Sequence, residues 1–163
     1  MNYRIGTGYD IHALVPGRPL ILGGIEIPFE KGFKAHSDGD ALLHAIADAL
    51  LGACALGDIG KHFPDTDPAF KDADSKELLG QVNKLILEKG YKPYNVDANV
   101  IAQKPKLTPY IDAMREKIAG VLDIPIDNVS VKARTAEGMD AVGEGKAIAV
   151  QASVLVTEKT CRS

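Results

Sequence analysis

The chain has 163 residues, 45% of them hydrophobic and 25% charged, with a mean hydropathy of -0.04, a balance that fits neither a disordered segment nor a membrane span. Nineteen Lys and Arg against 22 Asp and Glu leave a formal net charge of -3. Bulk electrostatics therefore draws the chain toward neither nucleic acid nor anionic lipid, and a phosphate-bearing ligand must be held by local groups.

At roughly 150 residues per domain the length corresponds to one domain over residues 1–163. No repeat, linker or low-complexity tract divides it. Residues 3–9 read as a strand, and PLILGGIEIPF (19–29) reads as two short strands meeting at Gly23-Gly24, a two-residue hairpin signal. From Gly39 to Ala55 the run GDALLHAIADALLGACA is nearly all apolar and rich in helix formers, which predicts a buried helix stopped by Gly57. GDIGKHFPDTDPAF (57–70) predicts an extended loop, too long for a plain connector and so a candidate for function. Asp74 and Glu77 form a capping-box pattern that opens a second helix closed by Gly90. In YNVDANVIAQ (94–103) apolar and polar residues alternate as on a half-buried strand. Thr108 as N-cap and Pro109 at the first helical position predict a third helix with Ile118, Val121 and Leu122 inward. Two strands, 128–134 and 147–156, complete the order. It predicts an α+β two-layer sandwich, a mixed β-sheet with helices packed on one face.

Two cysteines, Cys54 and Cys161, make neither a disulfide framework nor a zinc-knuckle spacing. The opening MNYRIGTGYDIH lacks the regions of a signal or transit peptide. Both features point to the cytoplasm.

Asp10 and His12 end the first strand and project the same way, so they could share a metal ion or be no more than a turn Asp beside a surface His. Asp40, His44 and Asp48 recur at every fourth residue of the apolar helix and make one polar stripe. With His44 added, Asp10 and His12 would form a three-ligand set that leaves tetrahedral zinc an open position, with Asp48 orienting the imidazole; a plain His44–Asp48 hydrogen bond is the simpler reading. His36 and Ser37 lie on the approach to the helix, where unpaired N–H groups favour an anion, and Ser37 or Asp38 equally suits an N-cap. Asp58, Asp65 and Asp67 suit hydroxyl groups, a hard cation or simple turns. Arg134, Thr135 and Glu137 offer a cation, a hydroxyl and a carboxylate at a strand end.

GYDIH (8–12), AHSDGDALLHAIADALLGACALGDIGKHFPDTDPAF (35–70), VDANVIAQKPKL (96–107) and VKARTAEG (131–138) together resemble the 2-C-methyl-D-erythritol 2,4-cyclodiphosphate synthases of the non-mevalonate pathway of isoprenoid (terpenoid) biosynthesis. The resemblance spans essentially the whole chain. It implies a homotrimer with an active site at each subunit interface. There the 2-phosphate of 4-diphosphocytidyl-2-C-methyl-D-erythritol 2-phosphate attacks the β-phosphate of the CDP group, and CMP leaves. By the family pattern Asp10, His12 and His44 bind zinc, His36 and Thr135 stabilise the transition state, and Glu137 holds a second ion, Mg²⁺ or Mn²⁺. Ile11 and Ser37 fall in substrate-contacting segments. Asp58, Ile59 and Gly60, with Phe63, Pro64, Asp65, Thr66 and Asp67, match the erythritol-binding segment. Ala102, Gln103, Lys104, Pro105, Lys106 and Leu107, with Arg134, Thr135 and Ala136, match the cytidine pocket. The same metal set would serve a zinc-dependent phosphoesterase that activates water, and the same fold a non-catalytic sensor of metal or isoprenoid diphosphate.

One stretch departs from the pattern. Family members commonly carry an aromatic residue and then Arg-Gly-Glu near a cavity on the trimer axis that can hold an isoprenoid diphosphate. Here Ala141 replaces the aromatic, and Glu144 and Lys146 exchange the signs. On an extended segment the two would share a face. Either a ring of Lys146 takes over the diphosphate, or Lys146 and Glu144 form an interfacial ion pair.

Overall fold

The structure, a computed structural model, describes residues 2–159, so Cys161 lies outside it. Strand β1 (Tyr3–Pro16) runs well past the predicted end at Tyr9. Asp10 and His12 interrupt the apolar alternation there, yet pairing continues to Ala13 opposite Ala147 and to Pro16 opposite Lys31. The hairpin of β2 (Leu20–Leu22) and β3 (Ile25–Ile27) forms as predicted around Gly23 and Gly24, both at positive φ. A short β4 (Lys31–Phe33), which sequence patterning missed, adds to the edge of β1.

Helix α1 (Ala41–Ala53) is buried at every position except His44, Asp48 and Gly52, which fall four residues apart along one side. It ends before Gly57, through a left-handed Ala55. The loop predicted after it contains a single turn, α2 (Ile59–His62), and a 3₁₀ turn at Pro68–Phe70. Helix α3 (Ser75–Glu88) begins at its Asp74 cap, and β5 (Tyr91–Ile101) follows. Helix α4 (Ile111–Leu122) starts later than predicted and without a side-chain cap from Thr108. Thr108–Tyr110 form a 3₁₀ turn instead, consistent with the fixed φ and missing N–H of Pro109. Ile118 and Leu122 are buried as expected, whereas Val121 is only partly so. Strand β6 (Val129–Arg134), a single turn α5 (Asp140–Gly143) and β7 (Ala147–Glu158) complete the order.

The fold is mixed α+β. Five strands form one mixed sheet in the order β4-β1-β7-β5-β6, antiparallel except for the β5–β6 pair. Helices α1, α3 and α4 cover one face, and their apolar stripes meet Val96, Ala98, Val100, Val150, Ala152 and Val154. The unpredicted α5 packs against the opposite face, where Val142 meets Ala147 and Ala149. Among the described residues no helix is long and apolar enough to cross a membrane.

Gly6 and Gly8 decide how close α1 lies to the sheet. A Cβ on Gly6 would stand 1.8 Å from the Ala49 carbonyl oxygen, and one on Gly8 1.9 Å from that of Ala45. Neither oxygen can step aside, because each belongs to the helix backbone. Gly8→Ala should therefore destabilise the fold by about 3 kcal/mol or more, the upper end of overpacking. Urea unfolding checks this: a loss below about 1 kcal/mol would show that the helix lifts off at little cost.

Candidate functional site

The contact that seats α1 on β1 also assembles a cluster. Four helix residues rise about 6 Å, and two strand residues advance about 7 Å. The spacing that sets Gly6 under Ala49 and Gly8 under Ala45 accordingly brings the next helix-facing strand residues, Asp10 and His12, to His44. Asp10 Oδ2 lies 3.0 Å from His12 Nδ1 and 3.2 Å from His44 Nδ1. Donor atoms of the three residues all lie within 4.8 Å of one another, and among the described residues no other three His, Cys, Asp or Glu side chains do so. His12 Nδ1 is buried and, despite its short approach to Asp10, lacks the geometry of a hydrogen bond. Burial opposes charge on Asp10, but the two imidazoles outweigh it and hold the carboxyl down to about 2. Burial likewise opposes charge on His44, and Asp10 reverses it, raising the imidazole above its ordinary value. A carboxylate kept charged and two imidazoles aimed at one of its oxygens make a donor set fit for a divalent transition metal.

The rest of the predicted polar stripe does other work. Asp40, not Ser37 or Asp38, caps α1: wholly buried, it accepts from Leu43 N at 3.1 Å. It also accepts from Gly23 N at 2.9 Å and Gly24 N at 2.7 Å. A carboxylate thus already sits at the helix end that sequence reading offered to an anion. Asp48 does not orient His44; it accepts from Ile59 N at 2.7 Å and ties down α2. His44 Nε2 faces Ser75 Oγ at 2.9 Å, a partner from the start of α3 that nothing in the sequence connects with His44.

His36 Nε2 stands 3.4 Å from the Asp67 carbonyl, so these two predicted segments do meet. Ser37 Oγ accepts from Gly39 N and lies 3.5 Å from His44 Nε2. Arg18, which sequence reasoning missed, donates to the carbonyls of Ala35 and Ser37 at 3.0 Å each and holds this loop. Asp58 and Asp67 cap the turns that follow them, through Lys61 N and Ala69 N. Phe63 is buried edge-on to Phe70, while Pro64, Asp65 and Thr66 are exposed.

A second cluster surrounds a cavity of about 670 Å³ lined by Ala102 to Thr108, Ala133 to Thr135 and Phe29, another residue the sequence did not single out. Thr135 Oγ1 donates to Glu137 Oε1 at 3.1 Å, with Glu137 in the left-handed region. Ala136 lies outside this lining. Ile11, Ala149, Ile101 and Arg134 are successive partners across β1, β7, β5 and β6. At about 4.8 Å per strand, roughly 14 Å separates the two clusters at this end of the sheet. Glu144 and Lys146 are not on an extended segment. Glu144 ends α5, Gly145 turns at positive φ, and the two side chains pair with each other within the chain. Ala141 lines a separate hollow with Tyr9, Ile11 and Ile101.

The sequence pattern of the YgbB family matches residues 3–157. A protein of Burkholderia mallei named 2-C-methyl-D-erythritol 2,4-cyclodiphosphate synthase is 57% identical over 159 residues, 98% of either chain. The structure of the bifunctional IspDF from Campylobacter jejuni superposes with a TM-score of 0.94 at 43% identity; the match covers 97% of this chain and 43% of that longer one. The CDP complex of IspF from Plasmodium falciparum superposes with a TM-score of 0.86 at 38% identity and 98% coverage of each chain.

Burial, reinforced by Asp38, raises the Asp40 carboxyl to about 6. An acid whose folded value exceeds its unfolded one favours folding most below the unfolded value, near 4, and that contribution is lost as pH rises through 6. Relative to Asp40→Asn, the wild type should lose stability between pH 4 and pH 7, while Asp40→Ala costs about 1–3 kcal/mol through the lost cap and two stranded N–H groups. Urea midpoints across this range test both, and parallel pH profiles for wild type and Asp40→Asn would refute the first.

Proposed function

The chain belongs to the YgbB family, and we propose that its two clusters serve one reaction. The 2-phosphate of 4-diphosphocytidyl-2-C-methyl-D-erythritol 2-phosphate attacks the β-phosphate of the CDP group, closing 2-C-methyl-D-erythritol 2,4-cyclodiphosphate and releasing CMP. The enzyme is a phosphorus-oxygen lyase of isoprenoid biosynthesis. The observation that carries this reading is the convergence of Asp10, His12 and His44 in a chain 57% identical to a synthase of that name.

Zinc fits the Asp-His-His set and, when bound, supplies a Lewis-acidic charge beside a substrate phosphate. The chain's own residues hold the substrate folded. The attacking group is already an anion in the same molecule, so alignment and charge neutralisation are the main demands and no side-chain nucleophile or base is required. His36 and Thr135 are the donors suited to charge developing on the phosphates, and Glu137 suits a Mg²⁺ or Mn²⁺ ion brought in with the diphosphate. Asp58, Ile59 and Gly60, with the Phe63 to Asp67 loop, form the wall for the erythritol hydroxyls. The Ala102 to Leu107 segment with Arg134 and Thr135 lines a cavity of about 670 Å³, within the range of small-molecule sites, which takes the cytidine.

The separation of roughly 14 Å between the clusters supports sites shared between subunits of a homotrimer, the cytidine cavity of one serving the metal cluster of its neighbour. Ile5, Tyr9 and Ile11 are exposed on the face of the sheet away from the long helices, a surface suited to such an assembly. The pairing of Lys146 with Glu144 supports an ion-pair role over an isoprenoid-diphosphate ring. The continuous core supports a single catalytic domain, and two cysteines without a pairing framework support the cytoplasm.

His44→Ala should lose zinc and CMP release together, activity falling at least 100-fold, while light scattering still reports a trimer. Phosphorus NMR of the wild-type product should show a cyclic diphosphate, and linear phosphates carrying solvent oxygen would refute the cyclase reading. Zinc uptake should weaken as pH falls, because His44, raised above its ordinary value, must give up its proton to bind.

A further inference from the structure

We infer that Ser75 is a positioning residue for the metal site. Held by Asp38, it fixes the ring of His44 so that Nε2 carries the proton and Nδ1 is left bare toward Asp10 and His12. The inference rests on the zinc reading of Asp10, His12 and His44.

A neutral imidazole has one N–H donor and one bare nitrogen, and the neighbours decide which is which. Ser75 Oγ lies 2.9 Å from His44 Nε2 and, as a hydroxyl, has a single proton. That proton is already committed. Asp38 Oδ1 lies 2.5 Å from Ser75 Oγ, and the same carboxylate accepts from Ser75 N at 3.0 Å and Asp40 N at 3.0 Å. A carboxylate only accepts, so the hydroxyl donates to Asp38 and keeps lone pairs alone for His44. Nε2 must then be the N–H.

Ser75 is 1% exposed, so bulk solvent does not reach its hydroxyl. Ser37 Oγ, at 3.5 Å, is at the limit of a hydrogen bond and already accepts from Gly39 N. With the proton on Nε2, the bare Nδ1 faces Asp10 Oδ2 at 3.2 Å, and two lone pairs at that distance need positive charge between them. A metal ion supplies it, and so does a second proton on the ring. The Asp38–Ser75–His44 chain therefore aims a metal-binding nitrogen from behind, with an alcohol and a carboxylate in series. It also ties the approach to α1 to the first residue of α3, across the long loop between them.

The test compares wild type, Ser75→Ala and Ser75→Thr by zinc titration against a chromophoric chelator, with thermal melting of each. It adds nitrogen NMR of histidine-labelled, zinc-loaded wild type. Ser75→Ala should bind zinc about 10–100-fold more weakly, Ser75→Thr should recover most of the loss, and each variant should still show a cooperative melt, lowered for Ser75→Ala by the lost buried hydrogen bond. The NMR should show His44 protonated at Nε2; a proton at Nδ1 overturns the inference, and this readout needs no variant to fold. Wild type that takes up no zinc overturns the metal reading itself. Wild type that takes it up, with Ser75→Ala binding equally tightly, overturns the role of Ser75 alone.

Discussion

The close seating of α1 on β1 through Gly6 and Gly8 is the constraint on which the rest of the molecule depends. Without side chains at these two positions, helix carbonyls reach within contact of the strand backbone, and the register of helix on strand has little freedom. That register then carries forward. Two residues beyond Gly8 the strand presents Asp10, and the helix meets it with His44, so the same interlock that packs the core also sets the distance between these two candidate metal-binding groups. A close-packed interior transmits such positions because it has no slack to absorb displacement. The spacing of this candidate site thus follows from two absent β-carbons.

Around this interlock, carboxylates serve as backbone clamps. Asp40 joins the start of α1 to the β2–β3 turn, Asp48 joins its exposed side to α2, and Asp38 joins the approach loop to α3. Each accepts N–H groups that a helix or turn start leaves unpaired, and hydrogen bonds to a charged acceptor are stronger than neutral ones. Burying charge has a cost, visible in Asp40, whose carboxyl is raised to about 6. The opposite holds at Asp10, where two imidazoles hold the carboxyl down to about 2. Chemically identical side chains on one short stretch of fold are divided by their neighbours into structural ties and a candidate metal ligand.

The sheet itself is asymmetric. Its helix-covered face is closed by valines and alanines, while its other face carries Ile5, Tyr9 and Ile11 in the open and buried, unpartnered oxygens on Asp97 and Asn99. Exposed apolar groups and unsatisfied polar ones on the same face make it the less complete side of the sheet. The Asp10, His12 and His44 cluster and the cavity lined by Ala102 to Thr108 lie at the same end of the sheet but on different strands.

Local order was legible in the residues themselves. The Gly23-Gly24 hairpin, the apolar run of α1, the Asp74 start of α3 and the alternation of β5 each follow from periods and caps that act within a few positions, where backbone geometry and solvent exposure leave little choice. The motif strings around Asp10, His12 and His44 likewise mark the metal-binding candidates. What the sequence did not contain was the partner of each polar side chain. Asp40, His44 and Asp48 look equivalent on a helix wheel, yet Gly24, Ser75 and Ile59 claim them separately, from elements 16, 31 and 11 residues away. Phe29 and Arg18 entered the functional region in the same way, by packing across the fold. Such pairings are settled by three-dimensional proximity, which depends on how elements stack and not on their spacing along the chain; Ser75, an ordinary residue at the start of a helix in the sequence, becomes a neighbour of His44 only once α3 has packed beside α1.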